Sequence, residues 1–98
     1  MKKILIMGLP GTGKSTLVKE IKKYINFEWL NADKIRAKHN DWDFSQQGIL
    51  RQAERMKKYA NRSKQKIVIA DFICPLEKGR KKFSPDIIIW ILKVPSPE

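Results

Sequence analysis

The chain has 98 residues, of which 42% are apolar and 32% are charged. This length predicts one domain over residues 1–98, with enough apolar side chains for a modest core. Its apolar runs are too short for a transmembrane helix or a secretory leader, so we expect a cytoplasmic protein without a membrane partner. A single Cys and a single His exclude an internal disulfide and a metal site built on those residue types.

The net charge of +11 needs a physical explanation. It suits a nucleic acid, a small polyanionic substrate, or ordinary solvated helices, since the lysines recur on otherwise polar faces. No nucleic-acid-binding module accompanies the charge. Of the two ligand classes we therefore favour a small anion, with nucleic acid as the less favoured partner.

Apolar runs alternate with helical patterns, which predicts an α/β fold with a parallel sheet. A buried strand at about residues 3–7 comes first, followed by a helix at about 15–24. A second strand is predicted at 27–31. A short helix follows at 33–38, with Asp33 near its N-cap.

The second half of the chain begins with a polar-aromatic loop at 40–44 and a helix that Ser45 caps, running to about residue 61. Four residues at helical spacing should form its core face: Ile49, Ala53, Met56 and Ala60. Three further elements and a tail are predicted: a strand at 67–71, a short helix at 75–82, a strand at 87–92 and a non-helical tail at 95–98.

Residues 8–15 read Gly-Leu-Pro-Gly-Thr-Gly-Lys-Ser and fit the phosphate-binding pattern G-x-x-x-x-G-K-[ST]. The pattern lies between a predicted strand and a predicted helix, so backbone N–H groups and a helix N-terminus should face an anion. Lys14 is expected to place its ammonium on the terminal phosphates, and Ser15 to offer its hydroxyl to Mg²⁺. The motif predicts a nucleotide site without naming the acceptor.

Charged residues after the predicted strands supply a second layer of candidates. Asp71 ends a strand, where a carboxylate can hold Mg²⁺ opposite the P-loop. Asp33 follows another strand and suits a base, a metal ligand or a helix cap. Arg36 shares a helical face with Asp33 and could bind a phosphate or sulfate. Arg51 and Arg55 share a face of the long helix, where surface decoration is the alternative to anion binding.

Four stretches in chain order resemble the adenylylsulfate (APS) kinases, which belong to the P-loop kinases. They are residues 8–17, the segment Leu-Asn-Ala-Asp-Lys-Ile-Arg at 30–36, Phe44-Ser45 leading to Arg55, and Asp-Phe-Ile-Cys-Pro at 71–75 with Arg80. The P-loop is generic, whereas the Asp-x-x-Arg and Phe-Ile-x-Pro segments in this order are more specific. The resemblance covers about residues 3–90.

This resemblance implies a three-layer α/β/α P-loop fold with about four parallel strands and a homodimer. It also implies transfer of the γ-phosphate of ATP, with Mg²⁺, to the 3′-hydroxyl of adenosine 5′-phosphosulfate. The motif and the resemblance imply ATP binding by Gly8, Pro10, Gly11, Thr12, Gly13, Lys14, Ser15 and Thr16. The strand ends and the resemblance imply Mg²⁺ binding by Ser15, Asp33 and Asp71. The resemblance implies catalysis by Lys14 and Asp33, and acceptor binding by Asp33, Arg36, Arg55, Phe72, Ile73 and Cys74.

The chain also departs from the family pattern. Asp71 replaces a small residue, Cys74 replaces a serine, and Ile49 stands where an arginine is usual. Residues 92–98 are a divergent tail, so we expect the family's lid and final strand to be missing. Two alternatives remain open: a P-loop kinase acting on another nucleotide or a polynucleotide end, and an inactive nucleotide-binding module.

Overall fold

A computed structural model describes residues 1–8, 13–72 and 76–91. Within these ranges the elements follow in the order β1 (Lys2–Met7), α1 (Lys14–Lys22), β2 (Glu28–Asn31), α2 (Ala32–His39), α3 (Gln46–Arg62), β3 (Ile67–Asp71), α4 (Glu77–Phe83) and β4 (Ile87–Trp90). Each predicted strand and helix is confirmed: β3 has the predicted boundaries, and the other boundaries within the described ranges shift by at most two residues. In the part of the chain described, no helix is long and apolar enough to cross a membrane.

The sheet is parallel throughout, in the order β2-β3-β1-β4. Asp71 at the end of β3 pairs in register with Asn31 on β2 and with Ile6 on β1. Because the strands run in one direction, their carboxyl ends meet at one edge, where α/β proteins bind ligands. The start of the P-loop, the end of β2 and Asp71 therefore lie along the same edge.

Helices cover both faces of the sheet and create two apolar cores. On one face, α1 contributes Val18 to a cluster with Ile6, Phe27 and Ile69. On the other face, side chains of α2, α3 and α4 pack against Leu5 and the strands beside it. These two cores confirm the three-layer α/β/α arrangement.

Helix α3 buries most of the face that its spacing predicts. Ala53, Met56 and Ala60 are fully buried, whereas Ile49 is only partly buried and lies outside the core, contrary to the prediction. Gly48 and Gln52 occupy buried positions on this helix instead. The amide of Gln52 reaches past the apolar face and donates to the carbonyl of Ala32 at 3.2 Å, which satisfies a buried polar group.

Helices α2 and α3 both begin with side-chain N-caps. Ser45 caps α3 as predicted, since its Oγ accepts from the N–H of Gly48 at 3.2 Å. Helix α2 is capped by Asn31, whose Oδ1 accepts from the N–H of Lys34 at 3.0 Å. Asp33 lies in the first turn of that helix, where its charge favours the helix dipole.

Candidate active site

The P-loop joins β1 to α1, and the structure describes both of its ends. Gly13 is the N-cap of α1 at φ 93° and ψ 19°, a left-handed conformation that glycine adopts without steric cost. Lys14 folds back so that its Nζ donates to the carbonyl of Gly8 at 2.7 Å. The ends of the loop are thus held together by Lys14, while Leu9, Pro10, Gly11 and Thr12 lie outside the described residues.

The first turn of α1 suits an anion. It contains no acidic residue, and its N-terminus carries the positive end of the helix dipole. Ser15 and Thr16 are exposed in this turn, whereas Lys14 is partly buried. A phosphate at this terminus would meet backbone N–H groups, two hydroxyls and one ammonium.

Asp71 is the buried carboxylate of this edge. Its Oδ2 accepts from the indole Nε1 of Trp29 at 2.5 Å, and its two oxygens lie 3.3 and 3.4 Å from Nδ2 of Asn31. Burial raises the pKa of Asp71 above its ordinary value, and the hydrogen bond from Trp29 and the charge of Lys14 oppose that rise. A buried carboxylate held this way favours a cationic partner.

These residues fit a nucleotide-bound Mg²⁺. Such an ion needs only one or two protein oxygens, because phosphates and waters complete its octahedron. The Asp71 carboxylate and the Ser15 hydroxyl are the oxygens that would serve as these ligands, and the charge of Asp33 acts on Asp71 from the exposed first turn of α2. Among the described residues there is no group of three or more His, Cys, Asp or Glu that could form an all-protein site.

Arg36, predicted to bind the acceptor, is buried in the structure, with 5% of its surface exposed. Its Nη1 donates to the carbonyls of Asp41 and Asp43 at 3.0 and 3.3 Å. Its guanidinium also lies 4.4 Å from the ring centre of Phe44. Burial lowers the pKa of Arg36, and the nearby charge of Asp41 opposes this. In this conformation Arg36 fixes the loop between α2 and α3.

Arg51 and Arg55 converge on one carboxylate, that of Asp41. Arg51 donates from Nε at 2.8 Å and from Nη2 at 3.1 Å, and Arg55 donates from Nη2 at 2.8 Å. These hydrogen bonds hold the pKa of Asp41 far below its usual value. Arg51 also pairs with Asp43 at 3.1 Å. In this structure both arginines therefore bind a carboxylate of their own chain.

Asp41 and Asp43 are site residues that sequence reasoning missed. The motif Asp-Trp-Asp does not indicate which helix its carboxylates will contact, because Asp41 lies ten positions before Arg51 and fourteen positions before Arg55. The local contacts are two Asx turns: Oδ1 of Asp41 accepts from the N–H of Asp43 at 3.2 Å, and Oδ1 of Asp43 accepts from the N–H of Ser45 at 2.9 Å.

Phe72, a further acceptor candidate, lies apart from this cluster. Phe72 is buried in the core, with its ring edge-to-face on Phe83 at 5.6 Å. Ile73 and Cys74 lie outside the described residues. His39 is exposed at the end of α2, and its Nε2 lies 2.9 Å from the hydroxyl of Tyr59.

A basic groove of about 260 Å³ runs along the outer face of α3. It is lined by residues that recur every three or four positions along the helix, together with the end of α2: His39, Arg51, Glu54, Arg55, Lys58, Tyr59 and Arg62. From the first to the last arginine the groove follows about three helical turns, roughly 16 Å.

The family profile described as chromatin associated protein KTI12 matches residues 1–77 of the 98 in the chain. The chain belongs to the KTI12 family. No curated protein sequence matches it significantly.

Solved structures resemble this KTI12 family chain in fold. The structure titled APE1195 is 21% identical with a TM-score of 0.72, and the match covers 93% of this chain and 62% of that one. The APS kinase CysC of Mycobacterium tuberculosis, as a Cys-to-Ala mutant, is 23% identical with a TM-score of 0.64, and the match covers 92% of this chain and 74% of that one. The same enzyme in complex with AMPPNP and APS is 23% identical with a TM-score of 0.69, and that match covers 92% of this chain and 61% of the other.

The chain thus spans less than two thirds of the APE1195 structure and of the nucleotide-bound kinase. At these identities the likeness is one of fold. The predicted P-loop kinase-like fold is confirmed, and the family that the profile shows is KTI12.

Proposed function

We propose that this chain is a Mg·ATP-dependent phosphotransferase, with a small anionic nucleotide as its acceptor and adenylylsulfate as the first candidate. One observation carries the proposal: the buried Asp71 carboxylate lies at the same edge of the sheet as the P-loop, whose ends Lys14 joins through its hydrogen bond to Gly8. A solved structure of similar fold is an APS kinase in complex with AMPPNP and APS, which supports the choice of acceptor.

Each residue would act through its own chemistry. Lys14 and the N-terminus of α1 would offset the charge of the β- and γ-phosphates. To reach them, the Lys14 ammonium would exchange its hydrogen bond to the Gly8 carbonyl for one to a phosphate. Mg²⁺, held by Asp71 and Ser15, would neutralise charge that builds up on the phosphate oxygens. Asp33 would accept the proton of the acceptor hydroxyl while the new O–P bond forms and the bond to ADP breaks.

The acceptor can be identified with γ-labelled ATP and a panel of acceptors: adenylylsulfate, nucleoside monophosphates and RNA with a free 5′-hydroxyl. The proposal expects label on adenylylsulfate, loss of transfer in Lys14→Ala, and full transfer in Lys19→Ala. Lys19 is a matched control because it is an exposed lysine on the same helix. Equal transfer by Lys14→Ala and the parent would refute the P-loop mechanism.

A second candidate, phosphoryl transfer at a polynucleotide, is favoured by the basic groove on α3. Its length of roughly 16 Å exceeds the span of one phosphate group and suits a run of phosphates. Lys58 and Arg62 are exposed in it, and Tyr59 and His39 provide aromatic rings. This candidate predicts that the chain binds single-stranded RNA with an affinity that falls steeply as the salt concentration rises. The fall should be less steep in the double variant that carries Lys58→Ala and Arg62→Ala. Absence of binding at low salt would eliminate it.

A further inference from the structure

Two residues of β2 hold the Asp71 carboxylate from the side. Trp29 and Asn31 are two positions apart, so their side chains lie on the same face of the strand. Asp71 lies on the matching face of β3, in register with Asn31. This is the face that α1 covers, since Trp29 packs in the same cluster as Val18. The carboxylate is therefore held on the side of the sheet where α1 and the P-loop lie.

The hydrogen bonds leave the two carboxylate oxygens in unequal positions. Oδ2 accepts from Nε1 of Trp29 at 2.5 Å and from Nδ2 of Asn31 at 3.4 Å, whereas Oδ1 accepts from Nδ2 of Asn31 at 3.3 Å. Each carboxylate oxygen has two lone pairs. Trp29 has one polar hydrogen, and it is directed at Asp71. The indole thus fixes the rotation of the carboxylate.

Asn31 has two roles at once. Its Oδ1 caps α2 by accepting from the N–H of Lys34 at 3.0 Å, and its Nδ2 donates to Asp71. The helix that begins at this cap carries Asp33 in its first turn. A single side chain therefore contacts both the Asp71 carboxylate and the start of the helix that carries the proposed base.

We propose that Trp29 and Asn31 are positioning residues that orient the Asp71 carboxylate toward a divalent cation at the P-loop, and that the Trp29 indole senses that cation. This inference rests on the proposed function, since it assigns partners to the same Mg·ATP site. Outer residues that orient a metal ligand commonly change metal affinity by about tenfold to a hundredfold when they are removed.

The first test uses tryptophan emission, because the chain has three tryptophans and two of them are exposed. Trp42 and Trp90 are 50% and 59% exposed, and replacing both with Phe leaves Trp29 as the sole emitter. We expect its emission to change saturably with Mg·ATP and not with ATP in EDTA. The change should vanish in an added Asp71→Asn substitution that still binds ATP. An equal change with and without Mg²⁺ would overturn the sensing role.

The second test measures the Mg²⁺ concentration that gives half-maximal ATP binding, by titration with a fluorescent ATP analogue. Trp29→Phe keeps the ring and removes the N–H, and Asn31→Ser keeps a good helix cap and removes the donor to Asp71. Each should raise the half-maximal Mg²⁺ concentration about tenfold and leave binding of Mg²⁺-free ATP unchanged. Trp42→Phe is the matched control and should behave like the parent.

The outcomes separate this inference from the proposed function. If the parent binds ATP through Lys14 but both variants keep the parental Mg²⁺ dependence, the positioning role is refuted and the nucleotide site stands. If the parent fails to bind ATP, or Lys14→Ala binds it equally well, both proposals fail. Thermal melts of both variants keep the result interpretable, since a variant that melts like the parent has not lost its fold.

Discussion

Replacing Gly48 with Ala should destabilise the protein, although glycine in a helix is normally a poor choice. Gly48 lies in the first turns of α3, where alanine would ordinarily stabilise by about 1 kcal/mol. Here a Cβ would lie 2.2 Å from the carbonyl oxygen of Asp43 and 2.6 Å from its Cγ. Ordinary contact begins near 3.4 Å, so the backbone of the loop must move by more than 1 Å.

That movement of the loop would break several hydrogen bonds. The carbonyl of Asp43 accepts from Arg36, its carboxylate accepts from the N–H of Ser45, and Ser45 caps the helix through the N–H of Gly48. Overpacking typically costs 1–3 kcal/mol and loss of a cap about 1 kcal/mol. After subtracting the helical gain of about 1 kcal/mol, we expect a net loss of roughly 2 kcal/mol.

For a domain of this size, a loss of roughly 2 kcal/mol lowers the melting temperature by about 10 °C. Thermal melts followed by circular dichroism would measure it, with Gln47→Ala as the matched control. Gln47 is exposed in the same turn, so its replacement should leave the melting temperature within about 2 °C of the parent. A melting temperature for Gly48→Ala equal to or above the parental one would refute the reasoning, because the helical preference would then have prevailed over the clash.

Three other predictions concern the core, the loop and the sheet edge. Phe83→Ala should lower the free energy of unfolding by about 3–5 kcal/mol in urea titrations, because the ring is fully buried against Phe72; a loss below 1 kcal/mol would contradict that packing. The pKa of Asp41 is lowered in the folded state, so its contribution to stability is present above its ordinary value of 3.8 and is lost as the pH falls further. Melts below pH 4 should therefore fall less steeply in Asp41→Asn than in the parent, and parallel pH profiles would argue against the network. Ile88→Lys should reduce light scattering at high concentration, because Ile88 is 42% exposed on the edge strand β4; unchanged scattering would count against that edge as a site of self-association.

The elements could be predicted from the sequence because each has a local signature. The run Ile67–Asp71 is apolar up to its last residue, as a doubly covered strand must be, and Ser45 precedes a helical pattern with a cap hydroxyl. The P-loop pattern likewise follows strand β1 and runs into helix α1. Such signals need only neighbouring residues, so they survive without knowledge of the fold.

The candidate site was harder to predict because its contacts join distant residues. The indole of Trp29 meets Asp71 across 42 positions, and no periodicity shows that pairing. The sequence predicts anion binding by Arg36 and Arg55; in the structure Arg36 donates to backbone carbonyls of the loop, and Arg55 donates to the Asp41 carboxylate. A charge pattern gives the chemistry of a side chain, whereas its partner depends on how helices pack.

The measurement that tests the central claim most directly is a thermal melt of the parent, Lys14→Ala and Lys19→Ala with and without Mg·ATP. A ligand at 100 times its dissociation constant adds about 2.7 kcal/mol, which is a rise on the order of 10 °C for a domain of this size. The account predicts that rise in the parent and in Lys19→Ala. It predicts no rise in Lys14→Ala, because this variant lacks the ammonium that bridges the ends of the P-loop in the parent. A cooperative melt of the parent that Mg·ATP leaves unchanged, or an equal rise in Lys14→Ala, would contradict it.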